Sequence, residues 1–120
     1  MVRILLADDD AATRDLVRRA LETEGHTVDI TQDGSEALDL MTSGAAGVDV
    51  LVSDVHMPGL DGIALAERAI AASPGLKVLL MSGFTDELER AKRLEAAKLG
   101  LISKPFTLEQ IRAAVRSLLR

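Results

Sequence analysis

The sequence predicts an α/β fold, a doubly wound, mostly parallel five-stranded sheet with helices on both faces. Two observations carry that expectation. Short apolar runs rich in Val, Ile and Leu alternate with amphipathic stretches from one end of the chain to the other, and the connections between them are short. Strands of a parallel sheet read as continuous apolar runs because both of their faces are covered. The 120 residues suit one domain over 1–120.

The first strand is expected over Val2 to Ala7. Asp10 then caps a helix over Ala11 to Glu24, in which Leu16, Val17, Ala20 and Leu21 share a face and after which Gly25 serves as the stop. Thr27 to Thr31 reads as the second strand, and Asp33-Gly34-Ser35 as the turn into the second helix. Val48 to Ser53 follows as the third strand, with Asp61-Gly62 leading into the third helix. Leu76 to Ser82 is the fourth. The fourth helical stretch, Thr85 to Ala97, has a thin apolar stripe at Leu88, Ala91 and Leu94 among many charges, so it is expected to be exposed and weakly held. Leu99 to Ser103 is the last strand. Thr107 with Gln110 forms a capping-box pattern for a final helix whose Leu108, Ile111, Val115 and Leu118 step by three and four.

Composition narrows the function. Lys and Arg number 14 against 19 Asp and Glu, for a net charge of −5, and no basic stripe stands out, which argues against duplex DNA. Phe84 and Phe106 are the only aromatics, so single-stranded nucleic acid would find almost no stacking platform. The absence of cysteine removes disulfides, thiolate chemistry and Cys-based metal sites. Apolar runs are far shorter than a membrane span, and an acidic triplet follows the first of them where a secretory leader would continue. The expectation is a cytoplasmic protein without membrane or direct nucleic-acid contact.

In an open parallel sheet, ligands gather outside the carboxyl ends of the strands. Here those ends carry Asp8-Asp9-Asp10, Ser53-Asp54, Ser82-Gly83 and Ser103-Lys104-Pro105. Carboxylates brought to one rim repel one another unless a cation neutralises them, and all-oxygen ligation with few protein ligands suits Mg²⁺, with Mn²⁺ as a substitute. Lys104 adds a positive charge, and Ser82 a hydroxyl beside a glycine that leaves room for a bulky group. Together they describe a phosphoryl site in which Asp54 acts as nucleophile. Other residues read more plainly. His26 is expected in a solvated turn, and His56 has no second histidine at helical spacing for zinc. Met41, Met57 and Met81 read as packing, and Arg14, Arg18 and Arg19 as a solvated face.

With those pieces in place the chain resembles, over essentially all of its length, the response-regulator receiver domains of two-component signalling (CheY-like). The residues that carry the likeness are Leu5-Leu6-Ala7-Asp8-Asp9, Val52-Ser53-Asp54-Val55-His56-Met57-Pro58-Gly59-Leu60-Asp61-Gly62, Met81-Ser82-Gly83 and Ser103-Lys104-Pro105-Phe106. The resemblance implies strand order 2-1-3-4-5, Asp54 as phosphoacceptor, and Mg²⁺ held by Asp8, Asp9, Asp54 and the backbone carbonyl of His56. It also implies Ser82 as switch hydroxyl, Lys104 as phosphoryl contact and a cis peptide before Pro105. Leu101 departs from the pattern, since many receivers carry an aromatic there that moves with the switch hydroxyl.

The implied role is a signalling domain rather than an enzyme acting on other substrates. It would take a phosphoryl group from a sensor histidine kinase or a histidine phosphotransfer protein and signal through the face built from the fourth helix, fifth strand and fifth helix. With no output domain after Arg120, the expectation is a stand-alone regulator, monomeric or dimerising on phosphorylation. CpdR-like single-domain receivers, which act as adaptors, share the Gly83-Phe84 and Lys104-Pro105 context. Two alternatives stay open, a truncated receiver of a DNA-binding regulator and a small phosphatase of the haloacid-dehalogenase type. The phosphatase would use Asp8 and Asp10 as its D-x-D pair, although Ala12 stands at the fifth place of that motif.

Overall fold

In the computed structural model, which describes residues 1–43 and 47–120, the apolar runs become five strands and the amphipathic stretches five helices. They alternate as β1 (Arg3–Ala7), α1 (Ala11–Glu22), β2 (Thr27–Thr31), α2 (Gly34–Thr42), β3 (Val50–Asp54), α3 (Gly62–Ala72), β4 (Lys77–Ser82), α4 (Thr85–Ala91), β5 (Lys98–Ser103) and α5 (Leu108–Leu118). All strand pairs are parallel, and their order is β2-β1-β3-β4-β5. Chain direction reverses its march across the sheet between β1 and β3, where ligands of such sheets collect.

Successive residues of a strand face opposite sides, and the sequence fills both sides. Leu5, Ala7, Leu51, Val78 and Leu80 pack with buried residues of α2, α3 and α4, such as Ala37, Leu65, Ala69 and Ala91. Ile4, Leu6, Val50, Val52, Leu79 and Met81 pack on the other side with Val17, Ala20 and Leu21 of α1 and Ile111, Val115 and Leu118 of α5. The apolar stretches of the central strands are therefore covered on both faces, whereas β2 and β5 at the edges are only partly covered. Among the described residues, no helix is long and apolar enough to cross a membrane.

Helix starts follow local chemistry. Asp10, Asp33 and Asp61 each sit in extended backbone and accept a hydrogen bond from the third helical N–H, that of Thr13, Glu36 and Ala64 respectively. Thr107 and Gln110 form the full capping box of α5. Gly25, at φ 91°, takes the left-handed conformation that follows α1.

Some expectations change, beginning with the end of α1 at Glu22 rather than Glu24. Leu16 is 45% exposed, because it lies roughly a quarter turn from the centre of the stripe formed by Val17, Ala20 and Leu21. His26 is half-buried rather than solvated, and its Nδ1 accepts from the Val2 N–H at 3.3 Å. Helix α4 ends at Ala91, not Ala97. Its last turn tightens into bonds three residues apart, from Lys92 to Glu89, Arg93 to Arg90 and Leu94 to Ala91. Only Ala91 is fully buried, too little apolar anchoring to carry the helix further.

Helix α3 begins directly against the end of β3. The Gly62 N–H donates to the Val55 carbonyl at 2.8 Å, and a Cβ at Gly62 would lie 2.2 Å from the carbonyl oxygen of Asp54. Gly62→Ala is therefore expected to destabilise the domain by about 3 kcal/mol, because backbone rather than a pliable side chain must give way. Gly75→Ala, which meets open space, should change stability by less than about 0.5 kcal/mol. Chemical denaturation of the two variants checks the contrast, and equal midpoints would contradict it.

Candidate functional site

The acidic site begins where β1 runs out of apolar residues. Asp8 keeps its place beside β2 because its N–H donates to the Thr31 carbonyl at 3.2 Å. Its side chain stays buried. One carboxylate oxygen accepts from the Asp10 N–H at 2.9 Å, and Arg14 Nη1 donates to the Asp8 carbonyl at 2.8 Å. Arg14, expected on a solvated face, thus ties α1 to the end of β1. Asp9 is exposed, and Asp10 turns away to cap α1. That cap uses Asp10 as acceptor for both the Thr13 hydroxyl and its N–H, so the second acid of a D-x-D motif is engaged elsewhere.

Asp54 closes β3 and is 7% exposed. Carboxylate oxygens of Asp8, Asp9 and Asp54 all lie within 4.8 Å of one another. Lys104 reaches this group from the end of β5. Its N–H donates to the Ser82 carbonyl at 2.8 Å, which extends the β4–β5 pairing by one residue. Its Nζ stands 3.1 Å from Asp54 and 3.9 Å from Asp8. The following peptide, Lys104–Pro105, is cis.

Ser82 is buried at the end of β4. Its oxygen accepts from the Phe84 N–H at 2.9 Å, and its hydroxyl donates to Glu87 Oε1 at 2.5 Å. His56 points outward with its side chain 80% exposed, 3.8 Å from Glu87 and tilted against the ring of Phe84. Leu101 is half-buried in β5 against the α2, α3 and α4 side of the core. The acids and Lys104 are therefore gathered, while the Ser82 hydroxyl is directed to α4. Glu87 went unnoticed in the sequence because an acid in the first turn of a helix has an ordinary role there, complementing the helix dipole. Its contact with Ser82 depends on how the β4–α4 turn folds back.

Burial pushes the carboxyls of both Asp8 and Asp54 above their ordinary range, against the pull of the Asp10 N–H on Asp8 and of Lys104 on both. Asp10 is held below that range, chiefly by the Thr13 hydroxyl and N–H. One Asp8 oxygen is buried without a hydrogen-bond partner among the described residues. Such an orphaned, electron-rich oxygen beside two further carboxylates fits a hard divalent cation.

Residues 4–116 match the family described as response regulator receiver domain. The chain is similar to the response regulator MprA of Mycolicibacterium vanbaalenii, with 40% identity over 119 residues that make up 99% of this chain and 51% of that protein. It spans about half the length of the curated relatives it matches. Among solved structures it is similar to a response regulator receiver protein from Sinorhizobium medicae, with TM-score 0.87 and 32% identity over 98% of this chain and 94% of the other. It is likewise similar to the receiver domain of NtrX from Brucella abortus, with TM-score 0.84 and 30% identity over 97% of each chain.

The raised carboxyl of Asp8 has a stability consequence. A buried acid whose pKa is raised binds its proton more readily in the folded state, so it weakens the fold at neutral pH and the penalty fades as pH falls through the raised value. Asp8→Asn is expected to raise the melting temperature of the metal-free protein at neutral pH. The advantage should shrink as pH approaches about 4, the ordinary carboxylate range. Thermal unfolding in a chelator across that interval checks the trend, and a variant less stable than the parent at neutral pH would contradict it.

Proposed function

The chain belongs to the response regulator receiver domain family, and on that premise we propose that it accepts a phosphoryl group on Asp54 and uses it to change what the α4–β5–α5 face binds. The observation that supports this most is the placement of Asp54. It ends the central strand β3, is nearly buried, has a lysine ammonium at 3.1 Å and shares its surroundings with two more acids.

The donor is a phosphohistidine on a sensor histidine kinase or a histidine phosphotransfer protein in the cytoplasm. An Asp54 oxygen forms the new P–O bond as the P–N bond of the donor breaks, and the departing imidazole takes a proton from solvent. Burial strips water from the Asp54 carboxylate and leaves it a better nucleophile than a solvated acid. Lys104, already paired with Asp54, is placed to follow the negative charge onto the phosphoryl oxygens. Asp8, Asp9 and Asp54, with the backbone carbonyl of His56, would hold Mg²⁺ or Mn²⁺, which when bound neutralises the carboxylates and the transferred oxygens. Hydrolysis returns Asp54 and inorganic phosphate, so the domain catalyses only its own modification and its reversal.

Ser82 acts as the switch hydroxyl, moving from Glu87 to the phosphoryl group and shifting an existing equilibrium of α4. The short α4, with one fully buried residue, is the element that such a shift moves most easily. Leu101 leaves the phosphoryl chemistry intact but supplies no aromatic to carry the movement. Output passes through the α4–β5–α5 face to a downstream protein or to a further domain of a longer chain, with the receiver a monomer or a dimer formed on phosphorylation.

Intact mass after incubation with a small acyl phosphate or phosphoramidate and Mg²⁺ tests the proposal. A single phosphoryl adduct is expected that disappears in Asp54→Ala and with EDTA and persists in Leu101→Tyr. An adduct that survives Asp54→Ala, or none on the unaltered protein with either donor, would overturn it.

A further inference from the structure

Ser82 is attached to α4 at two points. Its oxygen accepts from the N–H of Phe84, the residue that caps α4, and its proton goes to Glu87 in the first turn. A serine hydroxyl has one proton to give. The alternative acceptor, the Phe84 carbonyl, stands at 3.3 Å against 2.5 Å for Glu87, and a carboxylate is the stronger acceptor. The Glu87 side chain is only 14% exposed, so water competes poorly for this bond. Phe84 brings no side-chain hydrogen bond of its own to cap the helix. The start of α4 is therefore anchored to the sheet through Ser82.

We propose that Glu87 is a positioning residue that holds the Ser82 hydroxyl on α4, and that release of this bond on phosphorylation carries the signal from the site to α4. The proposal rests on the receiver reading above and supplies the coupling that Leu101 leaves open. When Ser82 turns toward a phosphoryl group, both of its bonds to α4 break together. Among the described residues Glu87 then keeps the outer contact to His56 at 3.8 Å, and α4 loses its polar anchor in a helix with one fully buried residue. The carboxylate thus opposes phosphorylation in the resting state and frees α4 in the modified one.

The test is the rate of adduct formation with acetyl phosphate and Mg²⁺, followed by intact mass, in Glu87→Ala, Glu87→Gln, Ser82→Ala and the double variant Ser82→Ala with Glu87→Ala. A charged hydrogen bond of this kind corresponds to roughly a ten- to hundredfold change in equilibrium. Glu87→Ala should speed adduct formation by up to about that factor, with Glu87→Gln in between because its amide oxygen is a weaker acceptor. In the Ser82→Ala background the Glu87 substitution should change nothing. Amide hydrogen exchange over Phe84 to Leu88 in the unmodified protein should accelerate in Glu87→Ala and further in Ser82→Ala, which also frees the Phe84 N–H. An adduct forming on the unaltered protein at the same rate as on Glu87→Ala overturns the latch alone. So does an equal gain with and without Ser82. No adduct on the unaltered protein overturns the receiver reading and the latch with it.

Discussion

Three carboxylates share one corner of this molecule, with oxygens within 4.8 Å of one another, and two of them are buried. At such separations each like-charged pair repels by roughly 3–4 kcal/mol even at an effective dielectric of about 20. Lys104 is one ammonium against three acids, nearer to Asp54 than to Asp8, so it cannot balance the cluster. A neutral protein core would be better off without this corner. Its cost is the kind expected where a site is kept ready for a cation and an anionic group to arrive.

The rest of the architecture serves to hold that corner in place. Parallel pairing in the order β2-β1-β3-β4-β5 sets the ends of β1 and β3 side by side, with those of β4 and β5 next in line. Apolar layers on both faces fix the strands. Asp8 and Lys104 extend their ladders by one hydrogen bond each, so the charged side chains start from rigid backbone rather than loop. Gly62 lets α3 start against the Asp54 carbonyl. Against this rigid frame, α4 is short and sparsely anchored. The molecule joins a stiff site to a loosely held helix, and Ser82 touches both.

Much of this was legible in the residues. Apolar runs gave the strands to within a residue or two, and the caps at Asp10, Asp33, Asp61 and Thr107 have short-range signatures that tertiary context did not override. The acids and Lys104 were legible as a group because the ends of parallel strands share one rim. What escaped was geometry without a sequence signal. Leu16 lies at the margin of its stripe, and a helical count alone includes it. The length of α4 is set by how little it buries, not by propensity, since the charged residues after Ala91 are good helix formers. The bonds from Arg14 to the Asp8 carbonyl and from Ser82 to Glu87 arise from the way helices sit over strand ends.

The most direct test of the central claim is the melting temperature of the unmodified protein titrated with Mg²⁺, against NaCl at matched ionic strength, for the parent and for Asp9→Asn. A cluster held short of positive charge predicts a saturable rise with Mg²⁺, as expected for a ligand that binds only the folded state. The monovalent salt should not reproduce it, and Asp9→Asn should blunt it. No rise with Mg²⁺, or the same rise with NaCl, would contradict the claim that these three carboxylates form a divalent-cation site.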